Sequence, residues 1–237
     1  MDLTDVIRLE LKKSAETEKA AFLPKFFKAF PGGYGEGDRF IGVSVPDQRK
    51  IARQHYRALS LNNLEDLIRD PVHECRLTAV FILVYKYENA KTESEREELV
   101  DFYLGNLPSI NNWDLVDSSS YKILGPYLSD KDRSLIYRLA KSGDLWQERI
   151  AVITTLHFVR NNDFDDTLKL SELMLDHKHD LIHKAAGWML REVGNRDFDV
   201  EYAFLKAHYK KMPRTMLRYA IEKFEPGLRK KFLAGLV

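Results

Sequence analysis

The chain has 237 residues, 44% apolar and 31% charged, with a formal net charge of +1, which reads as a soluble globular protein able to bury a real core. Cys75 is the one cysteine, so an intrachain disulfide is excluded and a reducing, cytoplasmic setting (a bacterial cytoplasm or nucleoid) is expected. No run approaches the roughly 18 apolar residues of a membrane span, and the opening MDLTDVIRLELKKSAETEK is charged throughout, without a secretory core segment.

In chain order, the period is helical from end to end. Val6, Ile7 and Leu11 open an amphipathic helix behind Thr4 as its expected N-cap. A second helix is expected through Ala20–Phe30. The irregular segment PGGYGEGDRFIGVSVP follows, with five glycines, and Pro46 then falls at the expected first position of a helix over VPDQRKIARQHYRAL. Further amphipathic helices are expected over Glu93–Leu104, Lys131–Lys141 and Thr167–Leu175. Sustained alternation is absent, so the fold class is all-α.

The helices repeat. ECRLTAVFIL, NWDLVDSSSYKIL, QERIAVITTL and HKAAGWMLRE each open with polar or charged residues. Aligning Arg76, Asp114, Arg149 and Lys184 gives spacings of 38, 35 and 35 residues, and PRTMLRYAI places Arg214 another 30 on. A helix pair at that interval is the signature of a HEAT- or armadillo-like α-α superhelix, in which antiparallel pairs stack into one continuous core. With no linker in view, residues 1–237 are expected to form a single domain. The second helices of such pairs usually line a concave groove, and all three tryptophans fall on them: Trp113 with Asp117, Trp146 with Arg149 and Trp188 with Arg191.

Charge is unevenly spread. Acids outnumber bases ten to five between Asn62 and Asp101, whereas Lys206–Lys231 carries nine bases against Glu222 and Glu225. A nearly neutral chain can therefore still present one basic surface, although lysines on solvated helix faces would give the same counts.

The stretch INNWDLVDSSSYK (Ile110–Lys122) concentrates the chemistry. Trp113 and Asp117 are four apart and share one face of a helix. An indole beside a carboxylate suits a cationic partner. The alternative is a core tryptophan and an Asp117 paired to Arg149 in a ladder between stacked repeats.

NNWDLVD, LWQERIAV and KAAGWMLRE, in that order, give the chain a resemblance to the AlkD family of HEAT-like DNA glycosylases over nearly its whole length. The resemblance implies excision of cationic N3- and N7-alkylated purines from duplex DNA, leaving an abasic site, without a metal or other cofactor. The family's cluster falls on Trp113, Asp117, Arg149, Trp188 and Arg191. Asp117, Trp113 and Trp188 are then the expected catalytic residues. Arg149 and Arg191 are the expected phosphate contacts. The family is thought to leave the target base in the duplex, in contrast to most glycosylases.

Lys184, Arg214, Arg218, Arg49 and Tyr34 are further candidate DNA contacts, with Lys50, Arg53 and Arg39 of similar standing; His73 and Arg76 are weaker because their flanks are acidic. The glycine-rich segment is either a loop that touches DNA or a purely structural one. It is a poor nucleotide cradle, because no strand precedes it and Glu36 and Asp38 would repel phosphate. His177, His179 and His183 lack a metal-binding pattern, so no metal is expected. A monomer acting on double-stranded DNA is the leading expectation. The alternatives are a non-catalytic HEAT-repeat protein that binds DNA structure, and a protein-binding HEAT scaffold.

Overall fold

The computed structural model describes residues 2–237, and among them the regular structure is helical: α1 (Leu3–Lys13), α2 (Thr17–Phe26), α3 (Val45–His55), α4 (Leu61–Ile68), α5 (His73–Asn89), α6 (Glu93–Gly105), α7 (Trp113–Tyr127), α8 (Ser134–Ala140), α9 (Leu145–Thr154), α10 (Leu156–Arg160), α11 (Asp165–Leu173), α12 (Asp180–Gly194), α13 (Phe198–His208), α14 (Arg214–Ala220) and α15 (Pro226–Ala234). The fold is all-α, with one isolated bridge between Arg39 and Val72 among the described residues. No helix among them is long and apolar enough to cross a membrane.

Most expected helices are present, with shifted ends. Asp2, not Thr4, caps α1, accepting from the Leu3 amide at 2.6 Å. Thr4 is instead buried, its hydroxyl directed at the Asn63 carbonyl at 3.4 Å. The second helix ends at Phe26, because Lys28 turns to φ +49° and the chain leaves the helix there. Ser44 caps α3 by accepting from the Asp47 amide at 3.3 Å, which makes Pro46 the second helical residue. α8 starts at Ser134, and the QERIAVITTL helix breaks at Thr155. There Thr154 and Thr155 bond back to the Ile150 and Val152 carbonyls, each at 2.7 Å. Such back-bonding competes with the helical ladder. α4, α13 and α15 are additional to the elements read from periodicity.

The chain forms two compact units, the first ending at Ser119 and the second beginning at Ser120, within α7. In the first, α5 is the central helix, packed by α1, α3, α4 and α6. Its run from His73 to Val84 is buried without interruption, so a helix that shows little amphipathicity in sequence is explained by burial all round. α6 begins with a capping box, in which Thr92 and Glu95 each accept from the other's backbone.

In the second unit α12 is central, packed by α9, α10, α11, α13 and α14. Gly187 permits the close approach of α14, since a Cβ there would lie 2.4 Å from the Met216 carbonyl and 2.6 Å from the Tyr219 Cβ.

Candidate active site

The first unit contains a cavity of about 370 Å³ walled by α2, α3, α5, the first turns of α7 and the end of the glycine-rich segment. Its lining is mainly apolar: Leu23, Phe26, Phe27, Phe40, Val43, Leu77, Phe81 and Trp113, with Gln48, His73, Glu74, Asp114, Asp117 and Ser118 among the polar members. Trp113 and Asp117 therefore meet in one wall, as their four-residue spacing requires on α7. Both are half-buried.

Aromatic stacking fixes the indole. Phe27 stacks on Trp113 at 5.2 Å and 19°, and Phe26 meets it edge-on at 5.9 Å. The other side of the Phe27 cluster continues into His73, at 4.8 Å from both Phe27 and Phe40. Pairs of this kind contribute about 0.5–1.5 kcal/mol each beyond their burial.

Below the rings lies a buried charge network. His73 is 2% exposed, with Nδ1 2.9 Å from Asp38 Oδ2 and Nε2 2.8 Å from Asp114 Oδ2. Carboxylates on both ring nitrogens call for both N–H groups, which is the imidazolium. Burial opposes that charge, but Asp114 and Asp38 outweigh it and raise the His73 pKa to about 9. Burial likewise works against the Asp38 carboxylate, and His73 and Arg76 overcome it, holding its pKa below the ordinary value. Arg76 Nη2 donates to Asp38 Oδ1 at 2.5 Å and Nη1 to the Asp70 carbonyl at 3.1 Å.

The glycine-rich segment is what delivers Asp38 and Phe40 to this network. Glu74, 1% exposed, accepts from the Ile41, Gly42 and Val43 amides at 3.1, 2.7 and 3.3 Å. His73 N–H donates to the Arg39 carbonyl at 2.8 Å. Gly35 lets the chain pass the Phe27 carbonyl, which a Cβ would meet at 2.4 Å. Asn112 joins the two sides: Nδ2 donates to Asp38 at 3.2 Å, and Oδ1 accepts from the Trp113 amide at 2.8 Å. The segment thus has a definite structural role in the wall of the site.

The remaining sequence-predicted residues of this unit lie elsewhere on it. Arg49 is half-buried with its guanidinium 3.9 Å from the centre of the Phe81 ring, and it borders a basic recess with Lys50 and Arg53. Tyr34 is half-buried beside Lys28, 5.5 Å from the ring centre, with its hydroxyl 3.5 Å from the Phe26 carbonyl.

In the second unit, Arg149 is 5% exposed and donates from Nη1 to the Leu181 carbonyl at 2.5 Å. Trp188 is half-buried and donates from Nε1 to Glu192 at 2.9 Å. Arg191 is paired to Glu222 and lies 3.7 Å from Glu192. Lys184 pairs with Asp180 at 2.8 Å. Arg214 and Arg218 are exposed on α14, Arg214 donating to the Leu233 carbonyl at 3.0 Å. His177 faces Glu148 at 2.8 Å, His179 accepts from the Leu181 amide at 3.2 Å, and His183 meets the His177 carbonyl at 2.6 Å. No group of three or more metal-ligating side chains among the described residues is placed to hold a metal ion.

Sequence reasoning missed Asp38, Phe27, Phe40 and Gln48 and underrated His73. The acidic flanks that counted against His73 and Arg76 include Glu74, the carboxylate that latches the glycine-rich segment. The available signal was the spacing of Asp38, His73 and Asp114, 35 and 41 residues apart, close to the helix-pair interval.

A family model described as DNA alkylation repair enzyme matches residues 7–224. Among solved structures, the chain is similar to "Predicted DNA alkylation repair enzyme from Enterococcus faecalis", with a TM-score of 0.67, 16% identity, and coverage of 90% of this chain and 98% of that one. No curated protein matches the sequence.

Proposed function

The chain belongs to the DNA alkylation repair enzyme family, and from that membership we propose that it is a DNA glycosylase. It hydrolyses the N-glycosidic bond of cationic N3- or N7-alkylated purines in duplex DNA and leaves an abasic site. The observation that carries this reading is the pairing of Asp117 with Trp113 in one wall of an aromatic-lined cavity.

The chemistry follows from the charge of the substrate. An N3- or N7-alkylated purine is already cationic, so when the C1′–N bond breaks its electron pair returns to the ring and the base departs neutral. A general acid on the leaving group is then unnecessary. The positive charge moves to C1′ and O4′ of the sugar, where a fixed carboxylate stabilises it. Asp117 takes that role and orients the water whose oxygen bonds to C1′ while its proton passes to solvent. Trp113 meets the cationic lesion through its ring face, and Trp188 is proposed as a further catalytic residue.

The fixed charges support the same reading. Asp114 is engaged by His73 and by the Leu115 amide at 2.9 Å, so the first turn of α7 is held while Asp117, one turn on, faces the cavity. Arg149, Arg191, Lys184, Arg214, Arg218, Arg49 and Tyr34 are proposed to hold the duplex, contributing position rather than sequence reading.

The test is release of 7-methylguanine and 3-methyladenine from methylated duplex DNA. Asp117→Asn should lower release by about 10²–10³-fold while duplex affinity is kept. Excision unchanged in that variant would overturn the role of Asp117. Duplex binding without release by the unaltered chain would favour a binder of DNA structure.

A further inference from the structure

We infer that His73 is a positioning residue for base excision: its buried imidazolium holds Trp113 and Asp117 of α7 in place, so excision requires the ring to carry both protons. The inference rests on the glycosylase reading for the reaction it serves, and it gives that reaction an alkaline limit.

Three routes lead from this one ring to Trp113. Through Nε2, His73 meets Asp114 Oδ2 at 2.8 Å, and Asp114 follows the indole directly in the chain. Through Nδ1 it meets Asp38 Oδ2 at 2.9 Å. The same oxygen accepts from Asn112 Nδ2 at 3.2 Å, and Asn112 Oδ1 accepts from the Trp113 amide at 2.8 Å. Across its face the ring packs on Phe27 at 4.8 Å, and Phe27 stacks on the indole at 5.2 Å. Asp117 lies one turn further along α7, so a shift of the first turn moves both side chains together. His73 is 2% exposed and acts through these neighbours.

The proton count makes the arrangement conditional. A neutral imidazole has one N–H and can serve one carboxylate. If Asp114 loses its donor, it keeps the Leu115 amide of its own helix, and this tie from α7 to α5 is gone. If Asp38 loses it, Arg76 still holds the other oxygen at 2.5 Å, but the oxygen shared with Asn112 is set against a bare ring nitrogen.

The charged groups acting on the ring are Asp114 from α7, Asp38 from the glycine-rich segment and Arg76 from α5. The other nearby charges are engaged elsewhere. Glu74 holds the Ile41, Gly42 and Val43 amides, and Lys19 of α2 pairs with Glu16. Arg8 of α1 pairs with Asp70, Arg49 of α3 lies over the Phe81 ring, and Glu98 of α6 acts on Lys86. The two carboxylates prevail over burial and Arg76, and the ring keeps its proton to about pH 9. A buried ion cluster adds little stability that well-packed apolar side chains would not. What it fixes is orientation, which a catalytic carboxylate requires.

Two readouts on the full chain test the role. Single-turnover release of 7-methylguanine from methylated duplex reads the reaction, with duplex Kd measured beside it. Labelling with 5-fluorotryptophan gives three fluorine resonances, and that of Trp113, assigned with Trp113→Phe, reads the indole without DNA. In the unaltered chain both should change together as pH rises through about 9. The substrate titrates alike for every protein compared, so differences between proteins isolate the ring. His73→Gln should lower release about 10²-fold, leave duplex Kd within about twofold and abolish the fluorine titration. Asp38→Asn, which keeps the ring and an acceptor beside it, should move both midpoints to lower pH. Circular dichroism and thermal melting establish that the variants fold, and the pH dependence of the unaltered chain needs no variant.

Release and fluorine signal that stay level through that window overturn the inference. So do midpoints that Asp38→Asn leaves in place, or a His73→Gln variant that loses duplex affinity as much as release, which marks a merely structural role. No release by the unaltered chain, with the Trp113 resonance still following His73, overturns the glycosylase reading and leaves the positioning of the indole standing.

Discussion

His73 and Asp114 meet at 2.8 Å between Nε2 and Oδ2, and this bond ties the first residue of α5 to the first turn of α7, one position from Trp113. Asp38 on the other ring nitrogen adds the glycine-rich segment to the same imidazolium. One buried cation thus fixes three parts of the cavity wall.

This cation makes stability fall on the alkaline side. The folded pKa of His73 is raised from 6.5 to about 9, so the folded state binds the proton more tightly than the unfolded chain. The contribution is complete below about pH 6.5 and is lost as pH rises to about 9. Denaturant unfolding across that window should show the loss in the unaltered chain. Asp114→Asn, which removes one of the two carboxylates, should flatten it.

Glu201 acts in the same direction by a different route. It is 2% exposed, Oε1 has no partner among the described residues, and burial, only partly countered by Arg191, pushes its pKa up to about 8. Ionising it in the folded state costs stability progressively from about pH 4.5 to about 8. Glu201→Gln should therefore stabilise the fold more at alkaline than at acidic pH, by a difference of at least about 1.4 kcal/mol in unfolding free energy, the worth of one pKa unit. An equal effect at both ends would show that the carboxyl does not ionise in place.

Gly42→Ala should loosen the cavity wall. Gly42 has φ +86°, and a Cβ there would lie 2.1 Å from the Glu16 carbonyl and 2.7 Å from the Ala20 amide nitrogen. The backbone cost alone is about 1–2 kcal/mol, and the close approach to α2 adds to it. Thermal melting should register the loss, and Trp113 fluorescence should change as Phe27 and Phe40 shift. Gly105→Ala, where a Cβ meets nothing within 4 Å, should leave that fluorescence unaltered.

Lys50 tests the proposed DNA contact of α3. It is exposed beside Arg49 and Arg53 on one basic recess. If that face meets phosphate, Lys50→Ala should lower duplex affinity for all sequences alike and reduce the slope of log affinity against log salt by about one. An unchanged slope would take α3 out of the contact surface.

Trp113 and Asp117 were legible because their relation is local: four residues on a helix put two side chains on one face wherever the helix packs. The same reasoning found the helices through α5, α7, α9 and α12, since apolar spacing reports which face is buried. The caps were less legible, because Thr4 and Asp2 are both competent and the start of α1 decides between them. Gln48, an ordinary polar residue on an amphipathic helix, gave no sign that its amide would be buried with one acceptor unmet.

What the sequence by itself determined was the all-α class, the order of the helices and the residues that α7 would present together. Local periodicity and capping set these. Only the tertiary structure decided that Asp38, His73 and Asp114 would meet, that five glycines would serve to lay a segment against α5, and that Phe26, Phe27 and Phe40 would enclose a cavity. The contacts of His73 with Asp38 and Asp114 join residues 35 or more positions apart, and a buried charge gains its worth from partners that chain closure supplies, which no stretch of sequence contains on its own.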